Sequence, residues 1–143
     1  MHGFLVEEVT TLVGFGTPTL SQGANGWVDL HSYCDVIAWL TTHELNAGNG
    51  TLQIGYQTAA LPQDDSFITM TGPLVTVPLT PTVGTQQVTP MLKDLMTVPL
   101  ARWFRWQLIS TATNSWDITF TLRLSANCLL PRHKRSHGSH KKE

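Results

Sequence analysis

The sequence predicts an all-β domain, an antiparallel β-sandwich or jelly roll of about seven or eight strands, followed by a disordered basic C-terminal tail. Short segments of alternating apolar and polar residues are separated by glycine, proline and asparagine, and no segment of eleven or more residues has a helical period. Charged residues make up only 13% of the chain, against about 25% in an average protein. The chain instead contains 20 threonines, which the surfaces of strands favour.

The chain of 143 residues has the size of one domain, and we assign residues 1–130 to the β-sandwich. This part has four Lys or Arg and nine Asp or Glu, a net charge of about −5, which argues against nucleic-acid binding. Residues 131–143, "PRHKRSHGSHKKE", have no large apolar side chain and carry five basic residues and one acid. We expect a flexible tail that binds nucleic acid, binds an acidic protein face or only solubilises the chain.

The N-terminal third of the domain contains one long candidate strand and one loop. Residues 4–13, "FLVEEVTTLV", are rich in β-branched residues and favour a strand, with a short helix as the alternative. Residues 14–26 hold four glycines and one proline and predict a loop, after which "WVDL" opens a short strand. Residues 4–13 are candidates for pairing with a neighbouring sheet.

A β-hairpin is predicted in the middle of the domain. Residues 35–45 are apolar at both parities as far as Leu40, which predicts a strand buried on both faces at its start. Asn49 and Gly50 suit the positive φ values of a type I′ turn. The following segment, "TLQIGYQTA", alternates, with one face made of Leu52, Ile54, Tyr56 and Thr58.

The C-terminal half combines a proline-rich edge with a central strand. Residues 61–67 predict a loop, and the four prolines of residues 71–92 predict edge strand and loop. Residues 73–90 are a second candidate contact region. The segment "NSWDITFTLRLSAN" alternates almost without a break. We expect one of its faces to form a wall of the core: Trp116, Ile118, Phe120, Leu122 and Leu124.

The segment "ARWFRWQLI" interleaves arginine with aromatic residues. An extended backbone places Arg102, Phe104, Trp106 and Leu108 on one face, which we assign to the core, with Arg102 reaching solvent at the strand end. Trp103, Arg105 and Gln107 then project outward. An outward Trp beside an Arg is compatible with a cation–π pair on a neighbouring strand, with a protein interface, or with stacking of a sugar or a base.

The sequence contains no recognisable catalytic or metal-binding motif. Asp64 and Asp65 are adjacent in a turn-like loop without further calcium ligands, and we expect them to be solvated. His2, His31 and His43 lack paired ligand spacing, and the tail histidines lack a supporting framework. Cys34 and Cys128 are expected to be buried free thiols, with a bridge between them as the alternative.

The segments "WVDLHSYCDVIAWL", "LQIGYQTA", "VPLARWFRWQL" and "WDITFTLRLSAN" resemble small virion structural proteins of tailed bacteriophages and prophages. The resemblance covers residues 27–127, and its most specific parts are "PLARW-x-RW" and "WD-x-T-F". It implies a virion component, in particular a capsid decoration (cement) protein. It leaves open whether the chain lies on the capsid, the neck or the tail.

We therefore expect a structural protein of the virion, assembled in the host bacterial cytoplasm, that acts as a homo-oligomer, preferably a trimer, on capsid or other virion proteins. The alternative is a carbohydrate- or receptor-binding module of a tail or fibre assembly. We expect no enzymatic activity, no cofactor and no metal, because the sequence contains no recognisable motif for them. We also expect no membrane segment, because neither a signal peptide nor a long apolar run is present. The candidate interface residues are Trp103, Arg105, Arg102, Trp27 and Tyr33.

Overall fold

The structure, a computed structural model, describes residues 6–16, 19–70, 75–76, 85–91 and 100–128. Within these ranges the chain forms ten β-strands, two short 3-10 helices and no α-helix. The strands are β1 (Val6–Phe15), β2 (Thr19–Ser21), β3 (Val28–Asp29), β4 (Tyr33–Asn46), β5 (Leu52–Ala59), β6 (Ile68–Thr69), β7 (Val75–Thr76), β8 (Thr85–Met91), β9 (Trp103–Ser110) and β10 (Ser115–Cys128), and the 3-10 helices are Ala24–Gly26 and Asp64–Ser66.

The strands form two antiparallel sheets. Sheet A has the order β1-β10-β4-β8. Sheet B has the order β2-β9-β5-β6, with β3 also paired with β9 and β7 also paired with β5. The predicted antiparallel β-sandwich is therefore confirmed. More strands form than were predicted because β2 and β6 have only two or three residues each, too few to give an alternating pattern.

The core lies between the two sheets. Trp106 of sheet B meets Phe120 of sheet A edge to face, with ring centroids 5.5 Å apart, which is a favourable geometry for aromatic pairs. The inward face predicted for β10 is confirmed, since all five of its large apolar side chains are at most 3% exposed. The inward face predicted for β5 is confirmed as well, with Leu52, Ile54, Tyr56 and Thr58 at most 2% exposed.

The strand predicted near the N-terminus is confirmed and runs two residues beyond its predicted end. β1 continues through Gly14 to Phe15 because it pairs with β10 along its whole length. The inward side of Gly14 is filled by the Trp116 indole, and a Cβ at Gly14 would lie 2.2 Å from Trp116 Cζ2. The predicted loop of residues 14–26 also contains β2 and the first 3-10 helix. Glycine at position 14 is thus explained by close packing rather than by a loop.

The predicted hairpin between β4 and β5 is wrong. Both edges of β4 are occupied, by β10 on one side and β8 on the other, so β5 crosses to sheet B and pairs with β9. The only residue of the connection with a positive φ is Gly48, at 62°, and not Asn49 or Gly50. A local turn signal correctly marked the chain reversal, but the sheet that accepts the next strand depends on which edges are open.

The prediction that the start of β4 is buried on both faces is confirmed for its inward face and only in part for its outer face. Val36, Ala38 and Leu40 are at most 1% exposed. Ile37 and Trp39 lie on the outer face of sheet A and are half-buried. Trp39 packs there by donating an indole hydrogen bond of 3.0 Å to Ser125 Oγ.

The proline-rich region agrees with the prediction where it is described. β8 carries Pro90 and lies at the edge of sheet A, where a missing backbone donor is tolerated. Much of residues 71–92, the tail 131–143 and the side chains of Cys34 and Cys128 lie outside the described residues, so their predictions stay predictions. Among the described residues, no helix has the length and hydropathy needed to cross a membrane.

Candidate interaction surfaces

Strand β9 divides its side chains between the two faces of sheet B as the sequence predicts. Phe104, Trp106 and Leu108 are at most 4% exposed and belong to the core. Trp103 and Arg105 lie on the opposite face. Trp103 is half-buried, and the Arg102 guanidinium lies 5.4 Å from the centroid of its ring. Trp103 is therefore partly covered by its own chain.

Arg105 is not the exposed residue that the sequence predicts, because it is only 5% exposed. Its guanidinium lies 4.1 Å from the centroid of the Phe67 ring and 5.7 Å from that of Trp27. It also donates through Nε to Gln57 Oε1 at 2.7 Å. The segments around the two 3-10 helices thus fold over the outer face of sheet B and cover Arg105.

The partner of the buried Arg105 charge is Asp64, which the sequence placed in a solvated loop. Arg105 NH1 donates to Asp64 Oδ1, although the Asp64 side chain is 83% exposed. Asp65 is exposed, as predicted. The sequence signal for this pair was weak, because alternation identifies the face of a strand but not the loop that covers it.

Trp27 and Tyr33 contact different parts of the chain from Trp103. Trp27 contacts Phe67 with ring centroids 4.8 Å apart and donates an indole hydrogen bond to the Gln22 carbonyl oxygen. Tyr33 begins β4 and packs against the core from its margin. The five predicted interface residues therefore do not form one exposed aromatic platform.

A polar cluster lies at the end of sheet B where β3 pairs with β9. Arg102 binds Asp29 with two hydrogen bonds of 3.0 Å, from Nε to Oδ1 and from NH2 to Oδ2. The hydrogen bond from Arg102 is the main reason that the pKa of Asp29 falls from 3.8 to about 2, and the same pair raises the pKa of Arg102. The carboxylate is therefore ionised over the whole neutral range.

The same carboxylate contacts His31. His31 Nδ1 lies 3.2 Å from Asp29 Oδ1, and Ser32 Oγ lies 3.0 Å from His31 Nε2. The sequence shows these residues as "DLHS" in a loop, without any recognisable spacing of a catalytic or metal site. Only the turn between β3 and β4 brings the three side chains into contact.

The outer face of β1 carries exposed apolar side chains. Val9 is 66%, Val13 76% and Phe15 74% exposed, and we call these three residues the β1 stripe. β1 is an edge strand that pairs with β10 on one side, and no other described strand pairs with it. Thr11, between the valines, hydrogen-bonds Thr119 through its hydroxyl at 3.1 Å.

The β1 stripe has no charged residue within it. The charges nearest to it on the outer face are Asp117, the cross-strand partner of Val13, and Glu7, which pairs with Arg123 at 3.1 Å. Natural edge strands commonly carry charges or proline that prevent pairing with other chains. An open strand edge with an apolar, uncharged outer face is instead typical of a surface that contacts another protein.

Two clefts of about 540 and 430 Å³ lie between β1 and the first 3-10 helix, and both contain Glu8. No group of three or more His, Cys, Asp or Glu residues within the described ranges could hold a metal ion. Among the described large apolar side chains, the three of the β1 stripe have the highest exposed fractions, so this stripe is the first candidate for an interaction surface.

A comparison with protein-family models finds no match, and a search of curated proteins finds no significant relative.

Proposed function

We propose that the chain is a structural protein of a tailed-bacteriophage virion, a capsid decoration (cement) protein that stabilises the head through protein–protein contacts. The β1 stripe is the observation that carries this proposal: three large apolar side chains are 66–76% exposed on the outer face of an edge strand. The resemblance of residues 27–127 to small virion proteins of tailed bacteriophages supports the proposed class of particle.

The mechanism is the burial of apolar surface between subunits. Each apolar side chain that becomes fully buried contributes about 1.5–3 kcal/mol, before the costs of association are subtracted. The edge of β1 that no described strand occupies can also add a strand to a neighbouring sheet, which fixes orientation through backbone hydrogen bonds. The partners are capsid or other virion proteins and further copies of the chain, preferably in a trimer. In a closed symmetric oligomer every copy can use its own β1 stripe for the same contact.

A decoration assay with a matched control tests this proposal. Particles grown from a phage lacking the gene are mixed with purified chain, sedimented and analysed for bound protein. We expect wild type to bind and Val13→Lys to lose about tenfold or more of its affinity, as expected for a residue at the centre of an interface.

The control is Ile68→Lys, which changes an apolar residue, 59% exposed, on β6 at the edge of sheet B and outside both candidate contact regions. It should bind like wild type. Equal binding by Val13→Lys and wild type would remove the β1 stripe from the mechanism, and no binding by wild type would contradict the decoration function.

A carbohydrate- or receptor-binding module is the second candidate, and one observation favours it. Trp103 is half-buried beside Arg102, whose side chain is 53% exposed, so part of an aromatic ring and a donor group face outward together. Trp27 is less suited to stacking a sugar because Phe67 contacts its ring. A glycan array that distinguishes wild type from Trp103→Ala would support this function, and identical blank arrays would eliminate it.

A further inference from the structure

Three polar side chains in the turn between β3 and β4 form a hydrogen-bonded relay. Ser32 Oγ contacts His31 Nε2 at 3.0 Å, and His31 Nδ1 contacts Asp29 Oδ1 at 3.2 Å. A hydroxyl next to an imidazole that is oriented by a carboxylate is the arrangement that activates serine nucleophiles on unrelated folds. The contact lengths match those required between nucleophile, base and orienting group.

The positions of the hydrogens follow from the state of the carboxylate. Arg102 keeps Asp29 ionised, so the carboxylate oxygens can only accept hydrogen bonds. His31 Nδ1 must therefore carry the proton shared with Asp29, and the neutral ring has its lone pair on Nε2. Ser32 Oγ–H then donates to Nε2, which is the direction needed for proton removal from the hydroxyl.

The relay is accessible and held in place. The His31 side chain is 63% exposed, so an incoming molecule can approach the imidazole and its serine partner. The His31 backbone N–H donates to Asp29 Oδ1 at 3.1 Å, and Arg102 binds both oxygens of the same carboxylate. These hydrogen bonds fix the carboxylate that orients His31. Less conformational entropy is therefore lost when the three side chains take up the geometry needed for reaction.

We propose that Ser32 is an activated nucleophile that accepts acyl groups from activated esters, with His31 as its base and Asp29 as the positioning residue. Ser32 Oγ attacks the acyl carbon while its proton passes to His31 Nε2. The ester C–O bond breaks, the leaving alcohol takes that proton, and acyl-Ser32 remains. Water then attacks the acyl carbon and passes a proton to His31 Nε2, the bond between the acyl carbon and Ser32 Oγ breaks, and Oγ takes that proton as the carboxylic acid leaves.

The substrate class follows from the exposure of the site. Water, rather than a closed cavity, surrounds the oxyanion that develops at a surface serine, so stabilisation of the transition state is modest. We therefore expect reaction with aryl esters and with fluorophosphonates, whose leaving groups depart easily, and not with amides. This activity is independent of the β1 stripe, so its test leaves the virion function undecided in either direction.

The test is labelling of the full chain with a biotinylated fluorophosphonate, with the modified residue located by peptide mass spectrometry. We expect Ser32 to be labelled, Ser32→Ala to lose that label, and His31→Gln to slow labelling by about 10²-fold, the lower end of the effect of a general base. Asp29→Asn should slow it as well, because the orienting carboxylate is lost.

Two controls lie within the same chain. His43 Nε2 contacts Thr121 Oγ1 at 2.6 Å, and no described carboxylate pairs with this imidazole, so Thr121 should stay unlabelled and His43→Gln should leave Ser32 labelling unchanged. Ser66 measures the background reactivity of serines, and its comparison with Ser32 in the wild type does not depend on the folding of any variant. Labelling of Ser32 no faster than Ser66, or equally fast in folded His31→Gln, would show that these contacts only stabilise the turn.

Discussion

Arg105 and Asp64 form an ion pair between a buried and an exposed residue: the side chain of the arginine is 6% exposed and that of the aspartate 83%. The guanidinium also contacts Gln57 and the Phe67 ring, so this one residue ties the second 3-10 helix to sheet B. A buried cation needs its partners because an uncompensated charge in a protein interior is costly.

The Arg105–Asp64 pair predicts unequal effects for two adjacent aspartates. Asp64→Asn removes the negative partner of a buried guanidinium and should lower the free energy of unfolding by about 1 kcal/mol. A charge-assisted hydrogen bond can contribute more than this, but the exposure of Asp64 to solvent weakens the interaction. Asp65→Asn, the matched control in the same turn, should change it by less than about 0.5 kcal/mol. Urea denaturation of both variants measures the difference, and equal effects would contradict the role given to Asp64.

Gly14 is predicted to tolerate no side chain. Its Cβ would lie 2.2 Å from Trp116, a core residue that is 1% exposed, so Gly14→Ala must displace the indole. We expect a loss of about 1–3 kcal/mol of stability, the usual cost of overpacking a core. Gly23→Ala is the control because nothing lies within 4 Å of a Cβ there. Thermal unfolding of both variants should show a lower Tm for the first alone, and an unchanged Tm for Gly14→Ala would refute the packing argument.

Tyr56 is predicted to be more stable as phenylalanine. Its hydroxyl is buried without a hydrogen-bond partner among the described residues, and burial raises the pKa of the phenol. Tyr56→Phe removes the unpaired group and keeps the ring that stacks on Phe104 at 5.4 Å. The free energy of unfolding in urea should rise by about 1 kcal/mol. A clear decrease would mean that the hydroxyl has a partner in solution.

The Asp29–Arg102 pair predicts a specific acid sensitivity. The pKa of Asp29 is lowered from 3.8 to about 2 in the folded chain, so the pair stabilises the fold fully above pH 3.8. That contribution should be lost as the pH falls from about 4 to 2. Asp29→Asn should therefore lose less stability than wild type over this interval, and Asp65→Asn is the control for exposed carboxylates. The measurement is an acid titration of wild type and Asp29→Asn, followed by circular dichroism. Identical unfolding curves for the two proteins between about pH 4 and pH 2 would contradict the assignment.

Much of the fold could be predicted from alternation because a sandwich strand has one face in the core. This reasoning correctly identified the inward faces of β9, β10 and β5, which are all buried. It failed at the connection after β4, since local turn chemistry says nothing about which sheet has an open edge. The strand pairing there depends on β10 and β8, which are distant in sequence.

The candidate sites were harder to predict than the fold. The alternation of side chains along β9 correctly places Arg105 on the outer face. It does not reveal that Phe67 and Trp27 cover that face. The relay of Ser32, His31 and Asp29 depends on a turn conformation that no periodic pattern encodes. The contact role predicted for the N-terminal strand stays a prediction, and the structure adds that Val9, Val13 and Phe15 on its outer face are exposed.

The most direct test of the proposed virion function is quantitative mass spectrometry of particles purified from the organism that encodes the chain. A decoration protein covers the capsid lattice, so the account predicts a copy number comparable to that of the major capsid protein. The chain should also stay with the particles through density-gradient purification. Its absence from the particles, or a content of only a few copies in each, would contradict the proposal.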